Sequence, residues 1–164
     1  MVNRQSLNKM MSWFFLGFGL VLIVILFVFR NSLIDFTSKG LQSQLSSLDK
    51  SIFADSVSML FNYSNNLKPY EFTLLEFSAG GCVACKKMEQ VLEQIEHSHG
   101  SQVNVVVMNM TKKRGLQWGK YYGVIMVPEQ IILDRVGGEI FRHTGFISKD
   151  DLLGLLNGVN SFHK

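Results

Sequence analysis

Cysteine and proline are almost absent from this chain, which has two of each in 164 residues, and histidine occurs only four times. A zinc site on the two cysteines would have to take its remaining ligands from His97, His99, His143 and His163. Clustered charge is missing too. The formal net charge is +3 with lysine and arginine scattered, and no basic stripe with interleaved aromatics marks a nucleic-acid footprint. No nucleotide-binding glycine motif occurs, so no cofactor is expected.

What is present is concentrated around the two cysteines. Cys82 and Cys85 lie in Phe77-Ser78-Ala79-Gly80-Gly81-Cys82-Val83-Ala84-Cys85-Lys86-Lys87, where an apolar strand breaks at glycines into a helix. A strand-to-helix junction leaves unpaired backbone N–H groups at the first turn, and these lower the pKa of a thiol held there. Cys82 is therefore the expected nucleophile. Cys85 follows one helical turn later on the same face, placed to attack a mixed disulfide at Cys82 and release a reduced substrate. The same spacing also serves half a zinc site, a structural disulfide or two inert core cysteines. No metal is expected. Lys86 and Lys87 read as a solvated helix face that assists the thiolate electrostatically at most.

From Met10 to Phe29 no residue is charged, and the run is long enough to cross a bilayer as a helix. Arg30-Asn31-Ser32 follows without the small-residue pattern of a signal cleavage site, which favours an uncleaved anchor over a signal peptide. Arg4, Lys9 and the amino terminus on one side, against Arg30 and Lys39 on the other, put the N-terminus in the cytoplasm by a slight excess. The expected division is a cytoplasmic segment 1–9, a membrane span 10–30, a partly helical stalk 31–68 and an α/β domain 69–164. Leu41, Leu45, Leu48 and Ile52, with Val57, Leu60 and Phe61, recur at helical spacing in the stalk, as in one or two amphipathic helices. Such a helix packs on its own domain, or else serves self-association or a lipid surface.

Beyond the stalk the element types alternate. Phe72 to Phe77 and Val103 to Met108 read as strands, Cys82 to His97 and Leu116 to Tyr122 as helices. Gln130 to Leu133 and Glu139 to Arg142 form two strands joined through Asp134-Arg135-Val136-Gly137-Gly138, and Ser148-Lys149-Asp150-Asp151 caps a last helix over Leu152 to Leu156. That order makes an α/β sandwich.

This pattern, with Tyr122-Gly123-Val124-Ile125-Met126-Val127-Pro128 between helix and hairpin, resembles the thioredoxin superfamily over about Phe72 to Leu156. Cys82-Val83-Ala84-Cys85-Lys86 is also similar to the C-terminal domain of the bacterial transmembrane thiol-disulfide reductant conductor. The resemblance implies a thioredoxin-like three-layer sandwich with a central mixed sheet, preceded here by one transmembrane helix. It implies a redox disulfide between Cys82 and Cys85, and a cis proline at Pro128 facing it. Val127 then offers its backbone to an extended substrate segment beside Gly81. Glu76, the one charge inside Phe72-Thr73-Leu74-Leu75-Glu76-Phe77, matches the buried carboxylate that relays a proton to and from the resolving cysteine. A carboxylate in a dry site has a raised pKa, as a general acid-base near neutrality requires. The alternatives are a trans proline at a strand start and a Glu76 turned to solvent.

Three positions depart from the family pattern. Gly81 stands where a Trp often precedes the first cysteine, Ala84 where cytosolic thioredoxins carry Pro, and Val107 where a Lys often supports the buried acid. The resulting expectation is a membrane-tethered thiol-disulfide oxidoreductase acting on protein disulfides outside the cytoplasm, in a compartment such as the bacterial periplasm. Val127 before the proline, the buried-acid candidate and the lack of His between the cysteines favour a reductase. A reductase there needs an electron donor, and the resemblance implies a membrane conductor of reducing equivalents, with periplasmic proteins such as apocytochrome c as acceptors. The alternatives are an oxidase or isomerase, and a non-catalytic membrane-bound module of the same fold.

Overall fold

The computed structural model describes residues 4–162. His163 and residues 1–3 of the expected cytoplasmic segment lie outside them. The helices are α1 (Arg4–Ser43), α2 (Ser47–Phe61), α3 (Tyr63–Asn66), α4 (Val83–His99), α5 (Lys113–Tyr122) and α6 (Lys149–Phe162). The strands are β1 (Phe72–Ser78), β2 (Val103–Asn109), β3 (Glu129–Leu133) and β4 (Glu139–Thr144).

The four strands form one mixed sheet in the order β2-β1-β3-β4, with β1 parallel to β2 and antiparallel to β3, and β4 antiparallel to β3. β1 is central and all seven of its residues are buried. Side chains alternate faces along a strand, so its even and odd positions enter two different cores. Phe72 and Leu74 join Met88, Val91, Leu92 and Ile95 of α4 and Leu152 and Leu156 of α6. Leu75 and Phe77 join Trp118 and Tyr122 of α5, with Phe61 of α2. The result is a three-layer α/β sandwich around a mixed sheet.

The segment between α1 and the sheet is part of this packing. Ser46 caps α2 by accepting the Asp49 N–H at 3.0 Å, an interaction worth about 1 kcal/mol. The helix then lays Phe53, Val57, Leu60 and Phe61 on the α5 side of the sheet. Phe53 meets Trp118 edge to face at 5.0 Å between ring centroids and stacks on Tyr121 at 5.2 Å. Tyr63 is fully buried, its hydroxyl bonded to Thr73 Oγ1 and accepting from Asn104 Nδ2. The helix therefore packs on its own domain, and the buried set reaches back ahead of residue 69.

The lower end of α1 also touches the domain, where Gln42 Nε2 donates to the Tyr121 carbonyl at 3.0 Å. Among the described residues no single helix is long and apolar enough to cross a membrane. Trp13–Phe29 and Ser32–Ser43 meet that condition only as a pair, bent by 57° at their junction. Trp13, Phe14, Leu16 and Ile23 of α1 are each about two-thirds exposed or more.

Candidate active site

The dithiol stands where β1 hands over to α4. Gly81 takes a positive φ of +82°, a conformation that suits glycine, and the turn delivers Cys82 as the N-cap residue of α4. Cys82 Sγ accepts the Cys85 N–H at 3.1 Å. An unpaired N–H of the helix's first turn is thus directed at this sulfur, the arrangement that stabilises a thiolate. Cys82 and Cys85 are joined in a disulfide with their Cα atoms 5.2 Å apart. Cys82 is half-buried and Cys85 only 2% exposed, so an incoming group meets Cys82 first.

The opposite wall is the segment between α5 and β3. Gly123 ends α5 with φ +71°, and the chain runs through Val124 to a cis Val127-Pro128 bond before entering β3. The Val127 carbonyl oxygen lies 4.0 Å from Cys82 Sγ. Pro128 is buried and its carbonyl accepts the Gly145 N–H at 2.8 Å. Gly80 and Gly81 are exposed, with open space where a Cβ would stand. In place of an aromatic residue, the rim carries exposed Val83 and Met126.

Glu76 lies within the sheet and is 1% exposed, not turned to solvent. By strand parity it faces the α4 layer, the layer that carries Cys85. Burial is the main cause that pushes its carboxyl up to about 8. A hydrogen bond from Gln130 opposes the rise, and the Glu89 carboxylate adds to it. Gln130 Nε2 donates to Glu76 Oε2 at 2.9 Å. Lys86 and Lys87 are exposed on α4, and Val107 stands beside Glu76 on β2. Among the described residues no group of three or more His, Cys, Asp and Glu side chains is placed to hold a metal.

Cys82, Cys85 and the Val127 carbonyl thus come together, with Gly81 and Pro128 next to them in the chain, and Glu76 lies on the α4 face of the sheet. Two participants escape a reading of the sequence. Gln130 is fully buried opposite Glu76, and its signal is a polar residue directly before the apolar run Ile131-Ile132-Leu133. Arg142 of β4 pairs with Glu129, the residue after Pro128, and donates to the Tyr122 carbonyl at 2.8 Å, before Gly123. Both ends of the Val127 loop are tied to that one guanidinium.

A family profile described as "Thioredoxin-like domain" matches residues 63–160, more than half of the chain. The chain belongs to this family. Among curated proteins, the chloroplastic thioredoxin-like protein HCF164 of Arabidopsis thaliana is 28% identical over 95 residues, which are 58% of this chain and 35% of that protein. The match therefore spans about a third of the relative's length. Two solved structures are similar at 22% identity and a TM-score of 0.49, each over 54% of this chain. One is thioredoxin-2, a component of malaria parasite protein secretion machinery, with 82% of its chain covered. The other is a malarial protein with 96% covered.

Proposed function

We propose that this thioredoxin-like protein is a membrane-tethered thiol-disulfide oxidoreductase that reduces protein disulfides outside the cytoplasm. The observation that carries the reading is the placement of Cys82 Sγ. It sits at the N-cap of α4, receives the Cys85 N–H, and lies 4.0 Å from the Val127 carbonyl. In the dithiol form, the Cys82 thiolate attacks one sulfur of a partner disulfide, forming a mixed disulfide and releasing the partner's other thiolate. The partner's extended backbone lies along Val127 and the open Gly80-Gly81 surface. Cys85 then passes its proton to Glu76 while its sulfur attacks Cys82. The mixed disulfide breaks, the partner leaves as a dithiol after taking up protons from solvent, and two electrons have moved to it. The Cys82–Cys85 disulfide that remains is the form seen here.

Returning it to the dithiol requires a reductant. We assign this role to a membrane protein of the thiol-disulfide conductor type, which presents a dithiol of its own. Tethering is supported by the uncharged run Met10–Phe29 and by the exposure of Trp13, Phe14, Leu16 and Ile23 within it. A bacterial inner membrane, crossed once with the domain on the periplasmic side, fits this reading.

The deciding measurement is the equilibrium redox potential of the full chain in detergent, titrated against dithiothreitol or glutathione. A value near about −270 mV is expected. One in the range of about −120 to −180 mV would make it an oxidase or isomerase, and a pair that does not cycle would leave a binding module. The Cys85→Ser variant, expressed in cells, accumulates partners bound through Cys82.

A further inference from the structure

Glu76 lies opposite Gln130 in the β1–β3 register, and Gln130 opposite His143 in the β3–β4 register. Residues opposite each other in a sheet project from the same face, so the three form one polar row on the α4 side. The row begins at two buried side chains in the sheet centre and ends at half-buried His143 on edge strand β4. Gln130 is 0% exposed directly before the apolar run Ile131-Ile132-Leu133 of β3. An amide at such a position is unfavourable unless it is hydrogen-bonded, and its one side-chain bond here is to Glu76. That bond uses Gln130 Nε2 and Glu76 Oε2, while Gln130 Oε1 and Glu76 Oε1 are both buried with no hydrogen-bond partner among the described residues.

We propose that Gln130 is a positioning residue of the redox centre: its amide holds Glu76 by Oε2 and leaves Oε1 as the oxygen that takes and returns the Cys85 proton. The inference rests on the acid-base role given to Glu76 above. It also names what stands in for the missing lysine support, since the β2 neighbour of Glu76 is Val107. A neutral amide stabilises the carboxylate through one hydrogen bond and adds no positive charge. The other groups facing the site do not replace it. From α4, the Glu89 carboxylate opposes ionisation, and from β4, His143 is separated from Glu76 by Gln130 itself. The α6 layer contributes Leu152 and Leu156. Gln130 therefore restrains the rise that burial imposes on Glu76.

The test uses the full chain in detergent, reducing a fluorescent disulfide-linked peptide with dithiothreitol as donor, between pH 6 and 10. The unaltered protein is expected to show an ionisation near pH 8 in its rate profile. Gln130→Met keeps the shape and removes the donor, and should move that ionisation up by about one pH unit. Glu76→Gln should abolish it, alone or combined with Gln130→Met. If Glu76→Gln keeps the ionisation, the acid-base reading of Glu76 falls. If Glu76→Gln abolishes it and Gln130→Met leaves it in place, the role of Gln130 alone is overturned. A measurement on the unaltered protein is independent of whether the variants fold. The side-chain amide protons of Gln130 should titrate with Glu76 by NMR, and amide signals that stay fixed across that range would sink the proposal.

Discussion

Arg142 and Glu129 form an ion pair at the residue that follows Pro128, with Glu129 3% exposed and Arg142 29% exposed. Glu139 supports the guanidinium from the same strand at 2.8 and 2.9 Å. Burial pushes the Glu129 carboxyl up, and Arg142 pulls it back. Arg142→Met leaves that carboxylate buried without its cation and should destabilise the protein by about 3 kcal/mol. A carboxyl whose folded pKa is raised loses stability as pH rises, so the loss should be larger at pH 8 than at pH 5. Denaturant midpoints at the two pH values check this. An equal loss at both would mean that only packing had been removed, and Arg142→Met with Glu129→Gln should recover most of the pH 8 deficit.

The carboxyl of Glu76 makes overall stability depend on pH in a definite direction. Its folded pKa of about 8 stands above the ordinary value of 4.5. The stability held by the protonated form is therefore complete below about pH 4.5 and declines as pH rises to about 8. Glu76→Gln removes the ionisation, so it should be more stable than the unaltered disulfide form at pH 8, by a few kcal/mol at most. The advantage should vanish near pH 4.5. Urea unfolding of the oxidised protein across this range measures it, and a flat difference between the variants would show that Glu76 does not titrate abnormally.

The parts of this site written in local chemistry were legible in the sequence. The change from an apolar strand to a helix at Gly80-Gly81-Cys82 marks the N-cap, and Asp134 to Gly138 marks the hairpin, where Asp134 Oδ1 accepts the Val136 and Gly138 N–H groups. Element ends were less so. α5 begins at Lys113 instead of Leu116 because its first turn is polar and Lys112 offers no side-chain cap. α6 runs from Lys149 to Phe162, beyond Leu152 to Leu156, because Gly154 and Gly158 interrupt its apolar spacing. Partnerships across the sheet were not legible at all. Nothing near Glu76 in sequence announces Gln130, and nothing near Glu129 announces Arg142, since register alone brings each pair together.

The two cysteines should differ in reactivity once reduced. Cys82 is half-buried at the helix start and Cys85 is 2% exposed behind it. Brief treatment of the reduced protein with iodoacetamide should modify Cys82 at least about tenfold faster than Cys85, read by peptide mass spectrometry. Comparable labelling of both would remove the basis for naming Cys82 as the attacking thiol.

The family profile begins at residue 63, yet Phe53 and Phe61 of α2 are packed against Trp118. Aromatic pairs of this kind contribute about 0.5–1.5 kcal/mol each beyond the area they bury, and Phe53 makes two of them. Truncating a buried Phe to Ala costs about 3–5 kcal/mol, and Phe53 is partly exposed, so Phe53→Ala should cost about 2 kcal/mol. A fragment beginning at residue 46 keeps the Ser46 cap and all of α2. One beginning at residue 69 loses Phe61 and Tyr63 as well, and uncovers the Trp118 and Tyr122 side of the sheet. The shorter fragment should therefore unfold at a clearly lower urea concentration. Equal midpoints would mean that α2 lies on the domain without stabilising it.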